Sequence, residues 1–278
     1  MSGFSPEWLA LREPADQRAR SRDVFAACAA AFKDRADLNI CDMGAGTGAS
    51  VRALAHLLPA RQTWTLVDHD AANLTASRDA LRAWADRAEM EGDALILHHQ
   101  GQRIVVSTRV QDFAKAPRCW NEDTHLVTAS ALFDLASAGW IARFTDALVK
   151  ERVGLFATLT VDGIMQAVPE HPLDTHVFTR FRDHQTGDKG FGPSAGGEAA
   201  RLLEEALVAR GYHLTAGDSP WILENTDAAL IAALIDGIAG AAGETGMAAG
   251  QLENWRAARR LDTHRLVIGH RDVFAVPT

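Results

Sequence analysis

Apolar and polar positions along the chain follow two rhythms. Short, densely apolar runs recur at residues 38–43, 63–67, 104–110, 126–129 and 153–160. Between them, at 51–58, 71–89, 136–150 and 198–210, apolar residues return every three or four positions. The first rhythm predicts strands buried on both faces and the second predicts amphipathic helices. Two more strands are expected at 212–216 and 266–276. Strands and helices alternating at these lengths call for an α/β fold. The expected architecture is a doubly wound, mostly parallel seven-stranded sheet with helices on both faces, plus N-terminal helices and helical insertions.

Three segments depart from the alternation. Residues 4–20 form an amphipathic helical pattern interrupted by Pro14, without the apolar core and cleavage site of a signal peptide. Residues 162–197 are rich in His, Asp, Pro and Gly and predict a long loop; loops beyond about 12–15 residues are usually functional or disordered. Residues 221–263 carry two helical patterns, 228–238 and 247–260, separated by small residues at 240–246.

Composition narrows the function classes. At 278 residues and 47% apolar content the chain can bury a large core. A net charge of −8 with no basic patch argues against a nucleic-acid partner. No apolar run reaches the ~18–20 residues a membrane span needs, and the run 228–242 is interrupted by Asp236. The cysteines, Cys28, Cys41 and Cys119, are scattered without metal-ligand spacing, so we expect no metal and a reducing, cytoplasmic location.

The chemistry is concentrated in Ile40-Cys41-Asp42-Met43-Gly44-Ala45-Gly46-Thr47-Gly48 and in Trp64-Thr65-Leu66-Val67-Asp68. The first reads as a strand, a glycine-rich turn and a helix start; the second as a strand ending on a carboxylate. Together they form a nucleoside-binding corner. Gly44, Gly46 and Ala49 could serve a dinucleotide loop. Asp42, however, would repel a pyrophosphate and suits an ammonium group or an ordered water.

The pattern Asp42-x-Gly44-x-Gly46-x-Gly48 resembles motif I of class I S-adenosylmethionine (SAM)-dependent methyltransferases. The resemblance covers residues 38–160 well and the remainder only by order of elements. It implies a cofactor loop of Gly44, Ala45, Gly46 and Gly48, with Asp68 on the ribose and His69 beside the adenine. Gln111, Asp112 and Phe113 follow the third strand, where an acid takes the adenine amino group and an apolar neighbour meets the ring. Ser130 and Ala131, at the fourth strand end, belong near the reactive methyl group. Arg20, on the helix before the first strand, could reach the cofactor carboxylate. If the acceptor must lose a proton, His171 and His176 are the candidate bases by loop position.

The implied organisation is one domain: 1–36 a helical cover, 37–161 the SAM-binding core, 162–197 a substrate cap, and 198–278 the last strands with the 221–263 insertion. The expected activity is methyl transfer to a small molecule, with oxygen the preferred acceptor and the oligomeric state open. Neither the acids of metal-dependent catechol-type enzymes nor the Asp/Asn-Pro-Pro-aromatic motif of DNA amino-methyltransferases is present. The alternatives are a non-catalytic SAM-binding regulator and a nicotinamide-dependent oxidoreductase. The latter lacks a Tyr-x-x-x-Lys pair around its single tyrosine, Tyr212.

Overall fold

The computed structural model describes residues 4–278. Two helices, α1 (Pro6–Ala19) and α2 (Arg22–Phe32), precede the first strand. Ser5 starts α1, its hydroxyl accepting the Trp8 N–H at 3.3 Å, and Pro6 takes the first-turn position where no amide is needed. The helix runs through Pro14 instead of breaking there. The carbonyl that Pro14 leaves unbonded belongs to exposed Ala10, where water can serve it.

There follow β1 (Asp37–Met43), α3 (Ala49–Leu54), β2 (Arg61–Asp68), α4 (Ala71–Trp84), β3 (Arg87–Glu91), β4 (Ala94–His99) and β5 (Gln102–Val110). Next come β6 (Leu126–Ser130), α5 (Ala138–Glu151), β7 (Gly154–Val168), α6 (Asp174–Gln185), α7 (Ala199–Val208) and β8 (Tyr212–Asp218). The chain ends with β9 (Trp221–Leu223), α8 (Ala228–Glu244), α9 (Ala249–Asp262) and β10 (Arg265–Pro277).

All strands join one sheet in the order β3-β4-β5-β2-β1-β6-β7-β10-β8, with β9 also paired to β10. The five central strands, β5 to β7, are mutually parallel. β10 runs antiparallel to β7, β8 and β9. Winding reverses at β1, which lies between β2 and β6, so a topological switch point opens at its carboxyl end. One apolar cluster lies beneath α5 and α7, around Trp140, Phe144 and Leu203. A second lies on the opposite face beneath α2, α3 and α4, around Val24, Val51 and Leu81. A third joins α1, α6, α8 and α9 to β9 and the outer parts of β7 and β10. Asn225–Glu244 is long and apolar enough by composition to cross a bilayer, but its Leu230, Ile231, Ile235 and Ile238 are packed in that third cluster.

The sheet has ten strands among the described residues, not seven. The helix expected over 71–89 stops at Trp84, and Arg87–Glu91 forms β3 instead. β3 is an edge strand exposed almost throughout, so it shows no apolar alternation. Its hairpin turns at Gly92, which adopts φ +60°. β7 does not end at Thr160 but continues to Val168, because β10 pairs along its length from Leu155 to Val168. The segment expected as a cap loop therefore holds the outer half of β7 and all of α6, leaving irregular chain mainly after Gln185.

Candidate functional site

The glycine loop leaves β1 under tight backbone control. Gly44 and Ala45 both donate their N–H groups to Val67 O, at 2.9 and 3.1 Å. Gly44, Gly46 and Gly48 adopt φ values of +64°, +51° and +75°, a region that side chains disfavour. Asp68, buried at the end of β2, accepts the Gly46 N–H at 2.9 Å through Oδ2 and the Asp70 N–H at 3.0 Å through Oδ1. The acid and the loop are thus one hydrogen-bonded unit. His69 is exposed, its Nδ1 3.3 Å from Asp68 Oδ1.

Neighbouring strand ends complete the crevice. Gln111 donates its N–H to Asp68 O at 2.9 Å, bringing the exit of β5 alongside. Phe113 is buried, and with Leu132 it lies 3.5–3.9 Å from where a Gly44 Cβ would stand. Asp112 turns outward instead: it accepts the Ala114 N–H and pairs with exposed Lys115 at 3.1 Å, which holds its carboxyl below the usual range. Ser130 pairs with Thr158 across to β7, and Ala131 donates to Thr158 O at 2.9 Å from a left-handed conformation, φ +53°. Leu159 on β7 is left-handed as well, φ +55°, its N–H given to Asp272 Oδ1 at 2.8 Å. Strained backbone of this kind costs about 1–3 kcal/mol per residue and concentrates at functional sites.

Asp42 lies fully buried on β1. Its Oδ1 accepts the Thr128 hydroxyl at 2.6 Å, and its Oδ2 has no partner. Burial pushes the carboxyl up to about 6, against the pull of Thr128, Ser50 and the Arg20 charge. Arg20 is half-buried, with Nε enclosed and unpartnered and its guanidinium 5.7 Å from the centre of the Phe25 ring. Burial lowers the Arg20 pKa, while Asp16, Asp272, Glu13 and Asp42 favour its charge.

Above the loop lies α1. Leu9 Cδ1 is 2.8 Å from the position a Gly46 Cβ would take, and Glu13 accepts from Arg52 Nε at 2.8 Å. Further along α1, Arg12 grips Asp16 (Nε to Oδ2, 3.0 Å), and Trp221 Nε1 donates to Asp16 Oδ1 at 3.0 Å. The Arg12 guanidinium stands 4.7 Å over the Trp221 ring, which lies 5.0 Å from the His270 ring. His270 on β10 and Asp134, just after β6, are buried and were not anticipated from sequence. Their signal was a polar residue within an apolar run: Ala131-Leu132-Phe133-Asp134-Leu135 and Leu266-Val267-Ile268-Gly269-His270.

The structure brings Asp42, the glycine loop, Asp68, His69, Gln111, Phe113, Ser130 and Ala131 to one crevice. His171 and His176 are elsewhere. The pairing of β7 with β6 ends at Thr158, and β7 then runs on to Val168, roughly 30 Å at about 3.3 Å per residue, before His171 is reached. His171 Nδ1 accepts the Leu173 N–H at 3.1 Å in the turn before α6, and His176 is exposed on that helix. The expectation had taken the chain after Thr160 for a loop, whereas β7 continues to Val168 and α6 follows.

No protein-family model and no curated protein sequence matches the chain. Solved structures do. A Bacillus halodurans protein provisionally described as a methyltransferase matches at 12% identity and a TM-score of 0.51, over 91% of this chain and 99% of that one. A cyclopropane synthase from Mycobacterium tuberculosis matches at 10% identity and 0.48, over 98% and 96% of the two chains. Phosphoethanolamine N-methyltransferase 2 of Haemonchus contortus, solved with S-adenosylhomocysteine, matches at 9% identity and 0.49, over all of this chain and 58% of that one. At such identities the likeness is one of fold: the chain has the class I, Rossmann-like methyltransferase fold.

Proposed function

We propose that the chain is a SAM-dependent methyltransferase acting on a small molecule. The observation that carries this reading is the pair of enclosed, unpartnered atoms beside the glycine loop, Asp42 Oδ2 and Arg20 Nε. A buried polar group left unpaired costs about 1–3 kcal/mol, and a ligand that pairs both atoms would recover that cost. An α-amino acid end group answers both, with its ammonium for Asp42 and its carboxylate for Arg20. A dinucleotide offers a pyrophosphate here, which Asp42 would repel.

The other residues take roles consistent with that ligand. Asp68 would hold the ribose hydroxyls, the glycines let the cofactor approach the backbone, and Phe113 gives the adenine an apolar wall. His69 and Gln111 rim the adenine side, while Ser130 and Ala131 border the reaction centre. SAM supplies an already electrophilic methyl group on a sulfonium. The protein's task is therefore to bind, orient and exclude water, and Leu9 covers the loop in keeping with it. We place the protein in the cytoplasm, in accord with its three buried, unbridged thiols.

Parallel calorimetric titrations with SAM, S-adenosylhomocysteine and NAD test the reading. We expect micromolar binding of the first two and none of NAD. Binding of NAD alone would make residues 44–49 a dinucleotide loop and end the methyltransferase reading.

A further inference from the structure

The last strand contributes a buried carboxylate that cofactor binding leaves unused. Asp272 of β10 is fully enclosed, with Ser219 and Leu159 enclosed beside it. Its Oδ2 accepts the Ser21 N–H at 2.8 Å. Its Oδ1 accepts the Leu159 N–H at 2.8 Å and the Ser219 hydroxyl at 2.6 Å. Burial raises the carboxyl pKa, while the three donors and the Arg20 charge oppose that rise.

Two of these bonds end beside residues that border the crevice. The Ser21 N–H belongs to the peptide that Arg20 forms, and Arg20 and Ser21 are the whole connection between α1 and α2. Opposite Asp272 on β8, Gly217 leaves no room for a Cβ against Ser21, so this connection is pressed onto the sheet. The Leu159 N–H belongs to the peptide after Thr158. That residue pairs with Ser130, and its carbonyl accepts the Ala131 N–H.

β7 is bulged at this point. Its register with β10 passes from Ala157–Val273 to Thr160–Arg271, so Thr158 and Leu159 together face Asp272 alone. A bulge leaves its extra residue unpaired and bends the strand. The left-handed Leu159 is that residue, and the Asp272 carboxylate takes the N–H the ladder gives up. A structural role explains why a buried acid is given donors. It leaves unexplained why two of the three flank the crevice on different walls.

Resting on the methyltransferase reading above, we propose that Asp272 is a positioning residue for the cofactor's amino-acid end. Through Ser21 it holds Arg20 where a ligand carboxylate reaches it, and through Leu159 it sets the opposite wall at a fixed spacing. Only an acid does both. An asparagine oxygen at the Oδ1 position keeps Leu159 and Ser219, but its amide then turns an N–H towards the Ser21 N–H.

The test is calorimetric titration with S-adenosylhomocysteine and with 5′-methylthioadenosine, which keeps the nucleoside and lacks the amino-acid end. Asp272→Asn should weaken the first at least tenfold and leave the second within twofold of wild type. Arg20→Gln should show the same selectivity, and the double variant should lose no more than the worse single one, because both act through one contact. Ser219→Ala loosens the carboxylate more gently and should weaken S-adenosylhomocysteine about threefold, again without affecting 5′-methylthioadenosine. It decides the matter if thermal melts show that Asp272→Asn does not fold. Equal weakening of both ligands would make Asp272 merely structural and overturn the proposal. Undiminished S-adenosylhomocysteine binding in Arg20→Gln or Ser219→Ala, or in folded Asp272→Asn, overturns it as well. Failure of the wild type to bind either nucleoside is a different result, which removes the methyltransferase reading and this proposal with it.

Discussion

The corner between β1 and β2 and the cluster beyond α1 are built on opposite plans. The corner is made of backbone: contiguous residues, three left-handed glycines, and amides donated to Val67 O and to Asp68. The cluster is made of side chains from α1, β9 and β10, with Asp16 and Trp221 meeting across 205 positions of sequence. A backbone-built site depends on local conformation, so any side chain at the wrong place disables it. A side-chain-built site can lose one group and keep its frame.

The harshest test of the contrast is Gly46→Val. A branched residue at φ +51°, with Leu9 already 2.8 Å from the new Cβ, must distort the loop or expel Leu9. Strain of about 1–3 kcal/mol plus the clash should lower the melting temperature and weaken S-adenosylhomocysteine more than 100-fold by calorimetry. Retained affinity would mean that the loop backbone is not what holds the ligand.

Next in size is a pH effect at Asp42. Its folded pKa of about 6 lies above the ordinary value of 3.8, so between those pH values the folded state keeps a proton that the unfolded state has released. Stability contributed by this group therefore rises as pH falls from 6 towards 4, by at most roughly 3 kcal/mol. Subtracting the stability profile of Asp42→Asn, from denaturant melts at pH 7.5 to 4.5, should isolate that rise. A flat difference would place Asp42 in a better-solvated setting than its burial indicates.

These two sites also show how much the sequence disclosed. β1, β2, the glycine loop and Asp68 were legible because strand, turn and acid are local features with a fixed order. Arg12, Asp134 and His270 were not, because no spacing rule links a helix before the first strand to a residue on the last. In the fold, β3 escaped notice because an exposed edge strand has no apolar period, and α1 ran through Pro14 because the orphaned carbonyl faces water. The outer half of β7 was taken for a loop because its ladder bonds come only from β10, about a hundred positions away.

Smaller effects sharpen the comparison further. Asp68→Ala removes an ionised acceptor from the corner and should cost about 1.5–3 kcal/mol of SAM affinity, read by calorimetry. Unchanged affinity would remove Asp68 from the cofactor site. His176→Ala touches neither region, so thermal melts and SAM titrations should both stay within about 0.5 kcal/mol of wild type. A tenfold change in SAM affinity would bring α6 back into the site.

α1 is fastened at both ends of its reach: Leu9 and Glu13 to the glycine loop and Arg52, Asp16 to Trp221, and Arg18 to Asp227 at 2.5 Å. A helix so held moves as a rod, and clearing the space over Gly46 strains its bonds to β9 and the start of α8. The two regions then share one latch. On the reading proposed above, whatever steadies the Trp221 end would slow the escape of a nucleoside held beneath Leu9, and by reciprocity that nucleoside would steady the Trp221 end. On the methyltransferase reading proposed above, release of a ligand from beneath Leu9 would be coupled to the lifting of that one helix.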